Sequence, residues 1–288
     1  MSDQERLEKI MEVLLQYTTR DFSKKLPIST EGDELDTISM GVNILGEEVE
    51  DFVNKNDQLI HFLQEKNKEL SHFAYLTSHD LQEPLRTVLA FNQLFFREYA
   101  HLLDDKGKQY LKFINNASIK MKNMVDGLLV YSKIGENKTF ETINVSHMVT
   151  LLTQKAQSKH PKGNIEFQIG QLENVKGVES DLTLLFSDLI TNSTKFISSK
   201  KTPHIKLTSS KEGPMVKFTI TDNGIGIPKK YQEKCFVLFQ KLNDHDKYPG
   251  IGIGLALCKK IINLYGGDII VNPDYTDGTE ITFTLPAA

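Results

Sequence analysis

An early stretch of this chain carries apolar residues at alternating spacings of three and four positions. Such spacing over about five heptads predicts a coiled-coil seam rather than an isolated surface helix. Two seam positions are polar, Asn56 and Lys66, and a buried Asn fixes the register of a coiled coil at some cost in stability. We therefore predict a parallel dimer, with a long amphipathic helix that packs within one chain as the alternative. The seam residues are Leu35, Ile38, Val42, Leu45, Val49, Phe52, Leu59, Leu63, Leu70 and Phe73.

A shorter helix is indicated upstream by the apolar spacing of Leu7, Met11, Leu14 and Tyr17. It is expected to end at a loop that contains Pro27 and Gly32, because these residue types interrupt helices. A helix, an extended connector and a second helix in this order resemble the HAMP signal-relay module. We predict a HAMP-like relay in residues 1–55 and a coiled-coil linker in residues 56–71.

The composition is that of an ordinary globular chain: 288 residues, 39% hydrophobic and 25% charged, with a net charge of −4. This charge argues against nucleic acid as a partner. No signal peptide is recognisable, and Cys235 and Cys258 lack metal-ligand spacing, so we expect a cytoplasmic protein. No apolar run is long enough to span a membrane, whereas HAMP modules usually follow a transmembrane helix. A separate sensor protein is therefore a candidate partner.

The sequence around His79 reads Ser78-His79-Asp80-Leu81-Gln82-Glu83-Pro84-Leu85-Arg86. The helix that carries it is predicted to end near Tyr99, and a polar turn separates it from a second apolar-periodic segment, residues 110–128. Two helices joined by a short turn predict an antiparallel hairpin, in residues 72–135. Two hairpins would form a four-helix bundle in a dimer.

His79 has an unusual setting for a helical histidine. At about 100° per residue it lies opposite Leu81 and Val88, which we predict to face inward with Leu85, so its ring should face solvent. Asp80 is placed to hold the ring tautomer or to accept its proton. Pro84 leaves the carbonyl of Asp80 unpaired and favours a bend. The other seven histidines have no comparable setting and are interpreted as ordinary polar residues.

The pattern changes after Gly135. Extended runs alternate with helical ones, which predicts one mixed sheet covered by helices in a second domain, residues 136–288. The complete chain is thus predicted to have a multidomain α and α+β fold: coiled coil, helical hairpin, then an α/β sandwich. The predicted strands are 165–169, 204–208, 216–220, 268–271 and 279–285.

One helix of the second domain carries Asp188, Asn192 and Lys195 at positions i, i+4 and i+7, so the three share a face. An amide oxygen can bind Mg²⁺, which takes hard oxygen ligands and keeps waters and phosphates as the others. A lysine one turn further on can neutralise phosphate charge. We predict Asn192 and Asp188 as metal ligands.

Two glycine-rich segments complete the pattern. Asp222-Asn223-Gly224-Ile225-Gly226-Ile227 follows a predicted strand, and its glycines let the backbone approach a flat ligand. Gly250-Ile251-Gly252-Ile253-Gly254-Leu255-Ala256 is predicted to open a helix that runs to Tyr265 and to offer N–H groups to phosphates. No strand precedes this second segment, so it is not a dinucleotide-binding fingerprint. The polar residues 240–249 before it are predicted to form a lid.

In this order the motifs resemble the H, N, Asp-Gly, Phe and Gly boxes of sensor histidine kinases, over residues 72–285. The resemblance implies that His79 accepts a phosphoryl group with Asp80 as its acid/base partner, and that residues 136–288 have the Bergerat ATP-binding fold shared with gyrase and MutL. It implies ATP and Mg²⁺ as cofactors, a homodimer, and a response regulator receiver domain on a separate protein as the phosphoryl acceptor. The implied nucleotide-binding residues are Asn192, Lys195, Asp222, Gly224, Gly226, Phe239, Gly252, Gly254 and Thr279.

The chain departs from the family pattern at several positions. Glu83 stands where kinases that also act as phosphatases have Thr or Asn, which argues against phosphatase activity. Asp188 replaces an Asn, Ser193 an Ala, and Ile251 a Ser or Thr. The His79 motif is similar to that of bacterial phytochromes. An ATP-binding dimeric signalling scaffold without kinase activity is the main alternative; an ATPase clamp like MutL, which needs no helical histidine, is another.

Overall fold

The computed structural model describes residues 2–30, 32–135, 139–160, 164–198, 201–242, 248 and 250–288. The chain divides into two compact units, Met1–Ser71 and His72–Ala288. Within the described ranges, no helix is both long enough and apolar enough to cross a membrane.

The first unit contains helix α1, Asp3–Thr18, and the first part of helix α2, which extends over Glu34–Tyr99. A capping box closes the start of α1, because Ser2 and Glu5 exchange backbone and side-chain hydrogen bonds. The predicted helix is confirmed, and the structure shows which of its faces is buried. Ile10 and Val13 are buried, whereas Leu7, Met11 and Leu14 are exposed. The helix carries two apolar stripes, and spacing alone does not indicate which one meets the rest of the unit.

A buried carboxylate joins α1, the connector and α2. Arg6 donates from Nη1 to Asp33 Oδ2 at 2.5 Å and from Nη2 to Asp36 Oδ1 at 2.6 Å. Ser29 donates to the same Asp36 carboxylate through its backbone N–H at 2.7 Å and its hydroxyl at 2.6 Å. These donors hold the pKa of Asp36 down at about 2, chiefly through the hydrogen bonds of Ser29. The network fixes the connector against both helices.

The second unit begins with an antiparallel helical hairpin, as predicted. Helix α2 ends at Tyr99, a 3-10 turn follows at Ala100–Leu102, and α3 covers Asp105–Lys133. Asp104 caps α3, since its side chain accepts the Gly107 N–H at 2.7 Å. Gln82 donates from Nε2 to Asp126 Oδ1 at 2.8 Å, which fixes the level at which the two helices face each other.

The face of α2 that meets α3 differs from the predicted inward stripe. Ser78 and Asn92 are buried on this face, and Leu85 is half-buried. Leu81 and Val88 are 46% and 44% exposed, so in the single chain they belong to a second, open apolar stripe. A helix of a four-helix bundle needs two such stripes, because it has two neighbours.

The remainder of the second unit is a layer of helices on a mixed sheet. The strands are β1 Glu141–Ile143, β2 Glu166–Ile169, β3 Val175–Gly177, β4 His204–Glu212, β5 Met215–Asp222, β6 Ile269–Val271 and β7 Thr279–Pro286, and the helices are α4 Val145–Lys159, α5 Glu179–Lys195 and α6 Gly254–Leu264. The five-stranded sheet has the order β2-β4-β5-β7-β6, in which only β2 and β4 are parallel. A separate two-stranded sheet pairs β1 with β3.

The core of this domain lies between the sheet and the helices. Alternate residues of β5 are buried, and Phe218 on that strand stacks on Phe283 of β7 with ring centroids 5.2 Å apart. Phe186 of α5 meets both rings edge-on. All five predicted strands are confirmed as the main sheet, whereas β1 and β3 are additional. The register pairs Asp222 at the end of β5 with Thr279 at the start of β7, which positions the candidate site.

Candidate active site

A cavity opens between α5, the start of α6 and the ends of β5 and β7. The sequence-predicted residues that line it are Asp188, Asn192, Lys195, Asp222, Gly226, Gly252, Gly254 and Thr279. Two further predicted residues, Gly224 and Phe239, are not part of this lining. The fold thus brings together residues from three separate sequence motifs.

Asp222 forms the inner wall of the cavity. Its side chain is buried, with 7% of the residue exposed, and its Oδ1 accepts the Gly224 N–H at 2.9 Å and the Thr279 N–H at 3.1 Å. The Ser193 side chain hydrogen-bonds to the same carboxylate. Burial raises the pKa of Asp222, and these donors partly oppose the rise. A buried carboxylate facing a cavity favours a ligand that donates N–H groups.

The polar face of α5 forms a second wall. Asp188 and Asn192 lie one helical turn apart, and burial raises the pKa of Asp188 to about 6. A side chain at Gly254 would crowd this face, because an added Cβ would lie 3.3 Å from Asp188 Oδ2. Among the described residues, no group of three or more His, Cys, Asp and Glu side chains could hold a metal ion. Two oxygen ligands fit Mg²⁺ that takes its remaining ligands from water and phosphate.

The open end of the cavity is cationic. Burial lowers the pKa of Lys195, and the nearby charge of Lys241 lowers it further. The Lys195 ammonium lies 4.6 Å from the centroid of the Phe196 ring, which in turn meets the Tyr248 ring at 5.2 Å. Two cations at one end of a cavity suit a ligand with a charged phosphate tail.

A glycine loop borders the cavity. Gly252 has φ +75°, and a Cβ there would lie 2.5 Å from the carbonyl oxygen of Gln240. Phe239 donates its N–H to the Gly252 carbonyl at 2.8 Å and has φ +63°; it is 41% exposed. Phe239 therefore supports the loop from outside the cavity lining.

Helix α6 begins at Gly254, within the predicted glycine segment, and ends at Leu264, one residue before the predicted end at Tyr265. Its first turn has no side-chain cap, so its N–H groups are available to a ligand. Most of the predicted lid, residues 243–247 and 249, lies outside the described residues. Gln240, Lys241, Leu242 and Tyr248 from the same segment line the cavity.

His79 is not among the residues that line this cavity; it lies on the face of α2 opposite Leu81 and Val88. Its side chain is 70% exposed, as the helical phase predicts, and its Nδ1 lies 3.4 Å from Asp80 Oδ1. Helix α2 continues through Pro84 without interruption. An exposed imidazole beside a carboxylate is accessible to a reaction partner.

Two protein-family models match this chain. The His Kinase A (phospho-acceptor) domain matches residues 69–137, and the histidine kinase-, DNA gyrase B- and HSP90-like ATPase matches residues 177–288. The phytochrome-like protein Cph1 of Synechocystis sp. is 32% identical over 230 residues, 80% of this chain and 31% of that protein. Cyanobacterial phytochrome A of Nostoc sp. is 34% identical over 238 residues, 80% of this chain and 30% of that protein. The chain belongs to the sensor histidine kinases.

The chain spans about a third of the length of the curated relatives it matches. Two of those relatives are phytochromes, the group whose histidine motif resembles the one around His79. Among solved structures, full-length ShkA in complex with AMPPNP superimposes with a TM-score of 0.56 at 20% identity, over 75% of this chain and 46% of that chain. This likeness supports the fold: long helices followed by an α/β domain of the Bergerat type.

The cavity lining also contains residues to which the sequence assigned no binding role, among them Ser193, Phe196, Lys241 and Tyr248. Ser193 appeared only as a departure from the family pattern, although its hydroxyl reaches Asp222. Phe196 follows Lys195 directly in the sequence. Lys241 and Tyr248 belong to the segment predicted as a lid, residues 240–249, where no periodic pattern indicates the direction of a side chain.

Proposed function

We propose that this chain is an ATP-dependent protein histidine kinase that autophosphorylates His79. It then passes the phosphoryl group to an aspartate in the receiver domain of a separate response regulator. The observation that carries the proposal is the combination, within one unit, of an exposed histidine on a hairpin helix and a cavity walled by the buried Asp222 and the polar face of α5.

The cavity offers matching groups for the adenine and for the phosphates of ATP. Asp222 accepts the adenine amino group, and Gly224 and Gly226 let the backbone approach the base. The first turn of α6 and Lys195 bind the phosphates. Asn192 and Asp188 would hold Mg²⁺, which neutralises phosphate charge when bound. Its double charge would also keep Asp188 ionised despite the burial that raises the pKa of this carboxyl.

The transfer step needs the imidazole as nucleophile. The Nε2 lone pair of His79 attacks the γ-phosphorus in line, the new N–P bond forms, and the bond to the ADP oxygen breaks. Asp80 holds the proton on Nδ1 before attack, which leaves Nε2 unprotonated, and accepts that proton afterwards. Catalysis rests on positioning and electrostatics, as in other phosphoryl transfers.

The open apolar stripe of the hairpin supports a homodimer, in which two hairpins form a four-helix bundle. The exposed seam residues of α2, such as Leu63 and Leu70, extend that interface into a coiled coil. We further propose the HAMP-like relay for residues 1–55, the linker for 56–71 and a cytoplasmic location. The signal would reach the relay from a separate sensor protein.

Labelled ATP tests the proposal directly. The unaltered protein with γ-labelled ATP and Mg²⁺ should acquire label that is acid-labile and alkali-stable. His79→Gln and Asn192→Ala should abolish it. His72→Gln, which changes another exposed histidine of the same helix, should keep it. Label that survives in His79→Gln would sink the assignment of the acceptor.

The alternative is an ATP-binding scaffold without transfer. Its support is Asp188, a desolvated carboxylate near the phosphate site where the family pattern has a neutral amide. ATP binding without any phosphohistidine would favour it. Phosphate release without a His79 intermediate would indicate an ATPase clamp.

A further inference from the structure

Helices α3 and α6 and the residues at their ends meet through three contacts, whose residue numbers rise together on both segments. Gly127 leaves no space for a Cβ against the Ile253 side chain. Further along, Lys260 donates from Nζ to the Tyr131 carbonyl at 2.5 Å and lies 4.2 Å from the Tyr131 ring centroid. Beyond the end of α3, a Cβ at Gly135 would touch Leu264. The hairpin and the ATP-binding domain therefore meet with α3 running in the same direction as α6.

This direction places the first half of α3 beyond the start of α6. Lys120 precedes Gly127 by seven residues, or about 10 Å along the axis, and seven residues return to the same helical face. That face continues past the N-terminal turn of α6, where the phosphates of a bound nucleotide would lie. Lys120 is exposed, so its side chain can reach towards them.

The electrostatics agree with this placement. After burial, the charge of Lys120 is the next cause that lowers the pKa of Lys241. Lys241 in turn lowers the pKa of Lys195, whose first cause is again burial. Three cations from α3, the lid and α5 thus form a series that ends inside the cavity. Like charges so close repel, and an anion bound among them relieves that cost.

We propose that Lys120 is a positioning residue for ATP, one that shares the polyphosphate between the hairpin and the ATP-binding domain. The inference rests on the proposed ATP-binding function. Because Lys195 and Lys241 approach the phosphates from one domain and Lys120 from the other, bound ATP strengthens the contact between α6 and α3. Neutral nucleosides lack the polyphosphate, so Lys120 should not contribute to their binding affinity.

Titration calorimetry on the full chain tests this with ATP and with adenosine, both with Mg²⁺ at low salt. K120Q should weaken ATP binding about three- to fivefold and leave adenosine binding unchanged. K120R should restore ATP affinity. The matched control is K112Q, which removes a charge from another exposed lysine of the same helix, further from Gly127. Added salt should reduce the difference between K120Q and the unaltered chain.

Each outcome decides the matter. Equal ATP affinity in K120Q and the unaltered chain overturns the role of Lys120 and leaves ATP binding intact. An equal loss in K112Q also overturns it, since a general loss of charge then explains the result. A loss of adenosine affinity in K120Q assigns the effect to the fold instead. Failure of the unaltered chain to bind ATP overturns this inference and the proposed function together.

Discussion

The ATP-binding domain buries its apolar core within one chain, whereas the hairpin leaves an apolar stripe exposed. Phe186, Phe218 and Phe283 are enclosed within one chain, whereas Leu81 and Val88 of the hairpin stay open. A sheet covered by helices can close its own core, but two helices cannot enclose a second stripe. The domain that holds the nucleotide is therefore complete by itself, and the helices that present His79 need another surface to cover them.

The largest effect should come from the closed core. Phe218→Ala removes a fully buried ring and should cost about 3–5 kcal/mol of unfolding free energy, independent of protein concentration. Denaturant unfolding followed by a probe in this domain measures it. Leu151→Ala, on the exposed face of α4, is the control and should cost less than about 0.5 kcal/mol. A cost below about 1 kcal/mol for Phe218→Ala would contradict the closed-core description.

A second substitution separates stability from binding inside the same domain. Asp222→Asn should weaken ATP binding at least about tenfold, because the amide no longer offers a charged acceptor to the adenine amino group. The pKa of Asp222 is raised on folding, so its ionisation opposes folding at neutral pH. The variant should therefore unfold at an equal or higher temperature than the unaltered chain.

Calorimetric binding and thermal unfolding of Asp222→Asn, measured side by side, check both parts. Asp268→Asn is a surface control that should alter neither quantity. A variant that binds ATP normally, or that unfolds far below the unaltered chain, would show that Asp222 is a structural residue and not the site of base recognition.

The open stripe of the hairpin gives the third prediction. Leu81→Ser should weaken self-association about tenfold, since a half-exposed leucine that becomes covered contributes about 1–2 kcal/mol. Sedimentation equilibrium across a range of protein concentrations measures this. Thr87→Ser, at an exposed position outside the stripe, is the control. If Leu81→Ser and the unaltered chain associate equally, the stripe is not the dimer interface.

The same contrast explains what the sequence could predict. The five main strands and the helical hairpin follow from local periodicity, and all were predicted. The inward face of α2 was not, because Leu81 and Val88, which were predicted to face inward, are open in the single chain. On α1 the spacing predicted the helix but did not indicate that Ile10 and Val13 would be its buried residues. Each helix carries two apolar faces, and the choice between them depends on which surfaces pack in three dimensions. Hydrophobic periodicity identifies the apolar faces of a helix but does not indicate which part of the molecule packs against each face.

The candidate site shows the same division. Asp188, Asn192 and Lys195 lie on one face of α5, at positions i, i+4 and i+7, so their shared position in the cavity could be predicted from the sequence. Asp222 and Thr279 meet through the register of β5 and β7. The family resemblance implied both as nucleotide-binding residues, but neither it nor the spacing predicted this register. Lys241 and Tyr248 lie in the segment predicted as a lid, where the sequence has no hydrophobic period from which the direction of a side chain could be predicted. The contact between Gly127 and Ile253 joins two segments far apart in sequence, and neither segment carries a local signal for it.

The smallest predicted effect lies in the first unit, where the carboxylate of Asp36 stabilises the connector through its hydrogen bonds to Arg6 and Ser29. The folded-state pKa of Asp36, about 2, lies below its ordinary value of 3.8, so its contribution is fully present above about pH 4 and is lost as the pH falls towards 2. Asp36→Asn should therefore accelerate peptic cleavage in the connector, residues 19–30, at pH 4, and the difference from the unaltered chain should shrink at pH 2. Asp51→Asn, at an exposed site on α2, is the control. Equal cleavage of Asp36→Asn and the unaltered chain at pH 4 would mean that the Arg6–Asp36 network does not hold the connector.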